Sequence, residues 1–202
     1  MPGWQGIKKY QKLHFMNRFI FLLLFSLFFS IISCKKDEIG TQLGCVSSQS
    51  FSNTKVYKDA LKKFTLELPK HWKTQLYVDE YKSEIYTADT TIELTSSFIL
   101  DVAWHQGSVE FDDDFKKKFI DIQVKNEFLL IEQGEMTVQG FPAFYDHSKG
   151  HQNGFDFNFV QIYIKTKPDE YYTLTSKIYG IENIDERLCS SLAILDGIQI
   201  LE

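Results

Sequence analysis

Residues 155–179 read Phe-Asp-Phe-Asn-Phe-Val-Gln-Ile-Tyr-Ile-Lys-Thr-Lys-Pro-Asp-Glu-Tyr-Tyr-Thr-Leu-Thr-Ser-Lys-Ile-Tyr, and their periodicity decides the architecture. Over 155–166 apolar and polar residues alternate with the period of two of a β-strand. The phase then changes: Phe155, Phe157 and Phe159 share one face, and Val160, Ile162 and Ile164 the other. A central strand covered on both faces has this pattern, and so does a strand with a bulge. Lys167-Pro168-Asp169-Glu170 supplies turn residues, and 171–179 returns as the partner strand, stopped by Gly180. The heart of the domain is thus a long antiparallel hairpin.

Beyond Gly180, Ile184, Leu188, Leu192 and Leu195 fall on one face of a helix over 184–195, with Asp185 in its first turn and Gly197 at its end. Upstream, 150–154 is a turn, 143–148 a strand, Gly140-Phe141-Pro142 a turn, and 128–131 and 135–138 two short strands. A helix is predicted over 113–127, where Phe115, Phe119, Ile122 and Asn126 recur at helical spacing and Asp112 is placed to cap it. Further strands read at 97–104, 83–88, 73–78 and 64–68; in the last, Phe64, Leu66 and Leu68 alternate with Thr65 and Glu67 until Pro69 stops the run. Strands, a helix, hairpins and a last helix make an α+β domain: an antiparallel sheet of about six strands flanked by helices.

The N-terminal region has a different composition. Lys8, Lys9, Lys12 and Arg18 precede a 14-residue apolar run over 19–32, with no acidic residue before Asp37. That run is shorter than the about 20 residues needed to span a bilayer and suits the core of an export signal. Ile31-Ile32-Ser33-Cys34 resembles the lipobox of a bacterial lipoprotein signal peptide. The resemblance implies a signal peptide over 1–33, cleavage before Cys34, and acyl chains, palmitate among them, on that cysteine. Met16 offers a second start with a compact basic segment. Several acyl chains hold a protein stably on a membrane where one does not. Residues 34–55, rich in Gly, Ser, Thr, Gln and Asn, read as a flexible tether, and 56–202 as the domain. Lys35-Lys36-Asp37-Glu38 resembles an export tag that sends lipoproteins of some Gram-negative bacteria to the cell surface; it also reads as a solvated charge cluster. The expected location is the bacterial cell envelope, at the outer membrane.

Without residues 1–33 the chain keeps 18 basic against 27 acidic residues, a net charge of −9. Such a domain is a poor partner for nucleic acid. Cys45 and Cys189 remain beside Cys34. In an oxidising envelope they either bridge, worth about 4–5 kcal/mol for so long a loop, or stay a linker thiol and a small core residue.

His147 and His151, next to Asp146, have the four-residue spacing of a helical metal pair. They fall in a predicted hairpin turn with no third ligand, so no metal site is assigned. Asp112-Asp113-Asp114 lacks the glycine and distal Glu of a calcium loop. The chain has no Gly-x-Ser-x-Gly elbow, phosphate-cradling loop or Cys-x-x-Cys. His71 and His105 each adjoin a tryptophan, Trp72 and Trp104, without a nucleophile. Phe144, Tyr145, Tyr163, Tyr171 and Tyr172 either form an aromatic binding surface or fill the core. No catalytic residue and no cofactor is assigned.

Phe64-Thr65-Leu66-Glu67-Leu68-Pro69-Lys70-His71-Trp72, Gly140-Phe141-Pro142-Ala143, and Tyr179-Gly180 before the last helix resemble, in order and spacing, the PsbP/Mog1-like superfamily. The resemblance implies that fold, with Trp72 packed over a sheet edge. It implies a non-enzymatic role as well: a docking subunit or assembly factor of a membrane-associated protein complex. The alternative expectation is a surface module that binds a small molecule or glycan.

Overall fold

The computed structural model describes residues 38–46, 51–152 and 154–201. In chain order the elements are helix α1 (Ile39–Gln42), strands β1 (Thr54–Lys58), β2 (Phe64–Pro69), β3 (Lys73–Val78), β4 (Lys82–Ala88) and β5 (Ile99–Gln106), helix α2 (Asp113–Lys125), strands β6 (Leu129–Val138), β7 (Phe141–Gln152), β8 (Phe155–Lys167) and β9 (Glu170–Tyr179), helix α3 (Ile184–Asp196) and strand β10 (Gln199–Ile200). Seven strands form one antiparallel sheet in the order β3-β4-β5-β9-β8-β7-β6, and β1-β2-β10 form a second, three-stranded sheet. The fold is α+β, as the order of elements implied. The main sheet has one strand more than expected, and the small sheet uses two strands, β1 and β10, whose sequences carry little alternation.

The phase change in β8 is resolved in favour of a strand covered on both faces. Its register with β9 is unbroken from Phe157↔Tyr179 to Lys165↔Tyr171, and the irregularity lies at Lys165/Lys167. Val160, Ile162 and Ile164 join the main core with Phe64, Leu66 and Leu68 of β2 and Leu188, Leu192 and Leu195 of α3. On the opposite face α2 lays Phe115 and Phe119 across Phe144 and Tyr163, with ring centroids 5.4–6.2 Å apart. Each fully buried ring of this kind is worth roughly 1.5–3 kcal/mol.

Three local expectations change. The two short strands expected over 128–138 form one strand, β6, from Leu129 to Val138, with Gly134 under the Tyr145 ring, where a Cβ would lie 3.0 Å from Cε1. The turn after it is Gln139-Gly140, both with positive φ (53° and 84°), the mirror-image turn that matches strand twist; Phe141 and Pro142 already belong to β7. Strand β7 runs on to Gln152 because Gly150 leaves room for the rings of Phe128 and Phe157.

The expected tether over 34–55 is corrected at residues 38–46. Helix α1 is docked: Ile39 has 0% exposure within the core. The Ile39 N–H donates to Asp196 Oδ1 (3.1 Å), and Gln42 Nε2 donates to the Thr137 carbonyl (2.9 Å). Cys45 is joined to Cys189 of α3 across 144 positions. The folded unit therefore begins well before residue 56.

Candidate functional site

A cleft of about 460 Å³ opens at one end of the main sheet, between the β2–β3 turn, the segment 89–98 and the start of α3. Pro69 ends β2, and the Trp72 N–H closes the turn on the Pro69 carbonyl (3.2 Å). This places the Trp72 ring edge-on between Phe51 (5.7 Å) and Phe98 (5.3 Å) as the floor. The indole is 6% exposed, so it offers no open face for a sugar ring to stack on.

Charge lines the rim. His71 Nε2 lies 3.3 Å from Asp89 Oδ2. Asp89 Oδ1 accepts from the Thr91 N–H (2.9 Å) and hydroxyl (2.6 Å). Burial pushes the Asp89 carboxyl up, but the hydrogen bonds from Thr91 and His71 outweigh it and hold the group below its ordinary value. Glu182 and Glu186 add two exposed carboxylates. Arg187 is buried beneath them. Its Nη1 donates to the carbonyls of Ser97 (3.0 Å) and Tyr179 (2.8 Å), and its Nη2 to that of Glu182 (2.5 Å). Arg187 thus clamps the end of β9, the 89–98 segment and the entry to α3, and its charge faces backbone oxygen. The hydroxyls of Ser97 and Ser190 donate to the carbonyls of Asp89 (3.3 Å) and Glu186 (2.8 Å). Neither faces a base, and His71 pairs with a carboxylate. The cleft can accept hydrogen bonds from a polar or cationic group.

Cys34 lies outside the described residues. His147 and His151 sit in β7, not in a turn; four residues of strand separate them by about 13 Å. His147 Nε2 meets Asn158 Oδ1 (3.4 Å), and His151 Nδ1 meets Asp156 (2.8 Å). Among the described residues no group of His, Cys, Asp and Glu is placed to hold a metal. Asp112 caps α2, Oδ1 accepting from the Phe115 N–H (2.8 Å). His105 stacks on Tyr171 (4.7 Å, 9°) and shares a hydrogen bond with the Thr173 hydroxyl (2.9 Å). Burial, then the nearby Lys82 charge, push its imidazole down to about 4. The five aromatics do not converge. Tyr145 and Tyr172 are in the main core, Phe144 and Tyr163 lie under α2, and Tyr171 packs on His105.

One surface escaped the periodicity argument. Ile122 was expected on the buried face of α2, but Gln123 takes that place. Below it Asp146 is wholly buried, and Asp146 Oδ2 accepts from Gln123 Nε2 (3.1 Å) and Ser148 Oγ (3.0 Å). The helix is thereby turned so that Ile120, Ile122 and Val124 are 43%, 55% and 70% exposed, near Leu129 (59%) and Ile131 (48%) of β6 in sequence.

No protein-family model matches the sequence, and no curated protein matches it. Solved structures do resemble it. Cyanobacterial PsbP from Synechocystis superposes with a TM-score of 0.50 at 10% identity, covering 79% of this chain and 99% of that one. The protein Mog1 gives 0.48 at 8% identity, covering 74% and 97%. A Bacteroides thetaiotaomicron protein gives 0.47 at 8% identity over 74% of this chain, which spans about half, 49%, of that protein's length. The likeness to PsbP shows the expected PsbP/Mog1-like fold, and at this identity the fold alone.

Proposed function

We propose that this chain is a non-enzymatic envelope lipoprotein, anchored at the outer membrane through lipid on Cys34, whose domain docks on a membrane-associated protein complex as a subunit or assembly factor. The observation that carries the docking role is the set of exposed apolar side chains on α2 and β6: Ile120, Ile122, Val124, Leu129 and Ile131 stand exposed within twelve positions of sequence, with Ile120 and Val124 one turn apart on the same face of α2. Large apolar side chains left exposed on one helix face are what an interaction site offers. Only Lys35, Lys36 and Asp37 separate Cys34 from Glu38, at most about 14 Å of extended chain.

The test is chemical crosslinking in intact cells, pull-down on the C-terminus and mass spectrometry. One dominant partner at near-equal amount is expected for the wild type, and Val124→Asp should lose it while keeping the fold. A monomer in both samples overturns the docking role. It favours the second reading, a module for a small molecule or glycan, which the cleft supports because about 460 Å³ falls in the usual range of ligand pockets, about 300–1,000 Å³.

A further inference from the structure

Among the described residues strand β3 is a free edge of the seven-stranded sheet, with β4 as its neighbour. The Asp79 N–H donates to the Lys82 carbonyl (2.9 Å), which fixes the hydrogen-bonding phase. In an antiparallel pair, directly bonded residues alternate with unbonded ones. Tyr77, Gln75 and Lys73, in register with Glu84, Tyr86 and Ala88, therefore point their backbone groups at β4. Thr74, Leu76 and Val78 point theirs outward. Natural edges are usually guarded by a proline, a bulge or a charge. Between Thr74 and Val78 this edge has none of these, and its register is continuous. The opposite edge, β6, carries a register shift at Leu130/Glu132 and the charges of Glu132 and Glu135. Leu76, Tyr77, Val78 and, in the following turn, Tyr81 are 47%, 50%, 55% and 58% exposed.

We propose that β3 is an interface for a second copy of this chain, the two β3 strands pairing antiparallel about a two-fold axis at Leu76. The sequence of the strand is self-complementary in that register. Leu76 faces Leu76 of the other copy, Thr74 faces Val78 and Gln75 faces Tyr77, while Lys73 faces Asp79, twice over. All the outward backbone groups fall on bonded positions, and the two charge pairs close the ends. Both charges are available. Among the described residues Lys73 has no ion-pair partner, and Asp79 is exposed, spending Oδ1 on the Tyr81 N–H (2.7 Å). Two-fold pairing of identical patches is the commonest way a soluble chain makes a closed oligomer. The inference does not depend on lipid at Cys34 or on a partner at α2.

The test mixes ¹⁵N-labelled and unlabelled full chain at the highest soluble concentration and treats it with a carbodiimide, which joins an amine directly to a carboxylate in contact. The expected product is a mixed-isotope dimer with Lys73 of one copy coupled to Asp79 of the other. Lys73→Asp puts like charges opposite each other and should abolish the coupling. The Lys73→Asp, Asp79→Lys exchange should restore it with the roles reversed. Leu76→Pro removes an outward N–H that the fold does not use, and should abolish the dimer while leaving the circular dichroism unchanged. A monomer in the wild type overturns the proposal. So does a dimer that couples elsewhere and survives Leu76→Pro, or an edge that captures a different protein without dimerising. Loss of the partner at Val124 with the β3 dimer intact would instead break only the docking reading.

Discussion

A carboxyl group with no solvent exposure and no cationic neighbour is either protonated or a cost to the fold. Asp146 is in that position. Its Oδ1, and the Oε1 atoms of Gln123 and of Gln133, its register partner on β6, are buried without donors. Burial raises its carboxyl to about 7, against the hydrogen bonds from Ser148 and Gln123 that pull the other way. The folded value lies above the unfolded one, so the contribution to stability is present below about pH 4 and is lost as pH rises through about 7. Asp101, raised to about 6 by burial and Glu84, slopes the same way. His105 and His147, lowered chiefly by burial, slope oppositely as pH falls below the ordinary imidazole value. Comparing the wild type with Asp146→Asn isolates the one group. The amide keeps an acceptor for Gln123 and Ser148 and offers a donor to an orphan oxygen. Urea unfolding at pH 8 should find the variant more stable by about 1–3 kcal/mol, with the gap closing at pH 4. A gap independent of pH would show that Asp146 is not the titrating group. The Asp112 cap was legible in the sequence because capping is a local relation. Asp146 was visible only as a neighbour of His147, because its burial comes from a helix more than twenty residues earlier in the chain.

At the scale of elements, the least legible piece was α1. Gly40, Thr41, Gln42 and Gly44 have the composition of a linker. What fixes the segment is distant: the core that takes Ile39, the Asp196 carboxylate, and Cys189. A local window sees none of these. The long hairpin of β8 and β9 was legible for the opposite reason, since its two strands are sequence neighbours and each carries its own alternation. Strand β10, two residues long and paired with β2 across most of the chain, was not. If the bridge holds α1 in place, replacing Cys45 and Cys189 together by serine should lower stability by about 2–5 kcal/mol. It should also open residues 38–46 to limited proteolysis while the β8–β9 hairpin stays resistant. An unchanged unfolding midpoint and an unchanged cleavage pattern would mean that Ile39 alone suffices to dock the segment.

For the whole molecule, the pieces bear on how a weak interface becomes useful. A pair of six-residue edges is a small contact beside the roughly 1,200 Å² of a stable interface, so under the proposed pairing free chains should associate only at high concentration. Chains held on one surface by lipid are concentrated without any new contact. The proposed anchor on Cys34 would therefore have a measurable consequence beyond location. Cells given labelled palmitate should incorporate it into the wild type and not into Cys34→Ser, which should also keep its leader. The purified lipidated chain, bound to vesicles at constant bulk concentration, should then give Lys73–Asp79 coupling that falls as plain vesicles are added and fused to dilute the protein over more lipid. Coupling that follows the bulk concentration and ignores surface density would separate the two roles, leaving the lipid to place the protein and the β3 edge to act on its own.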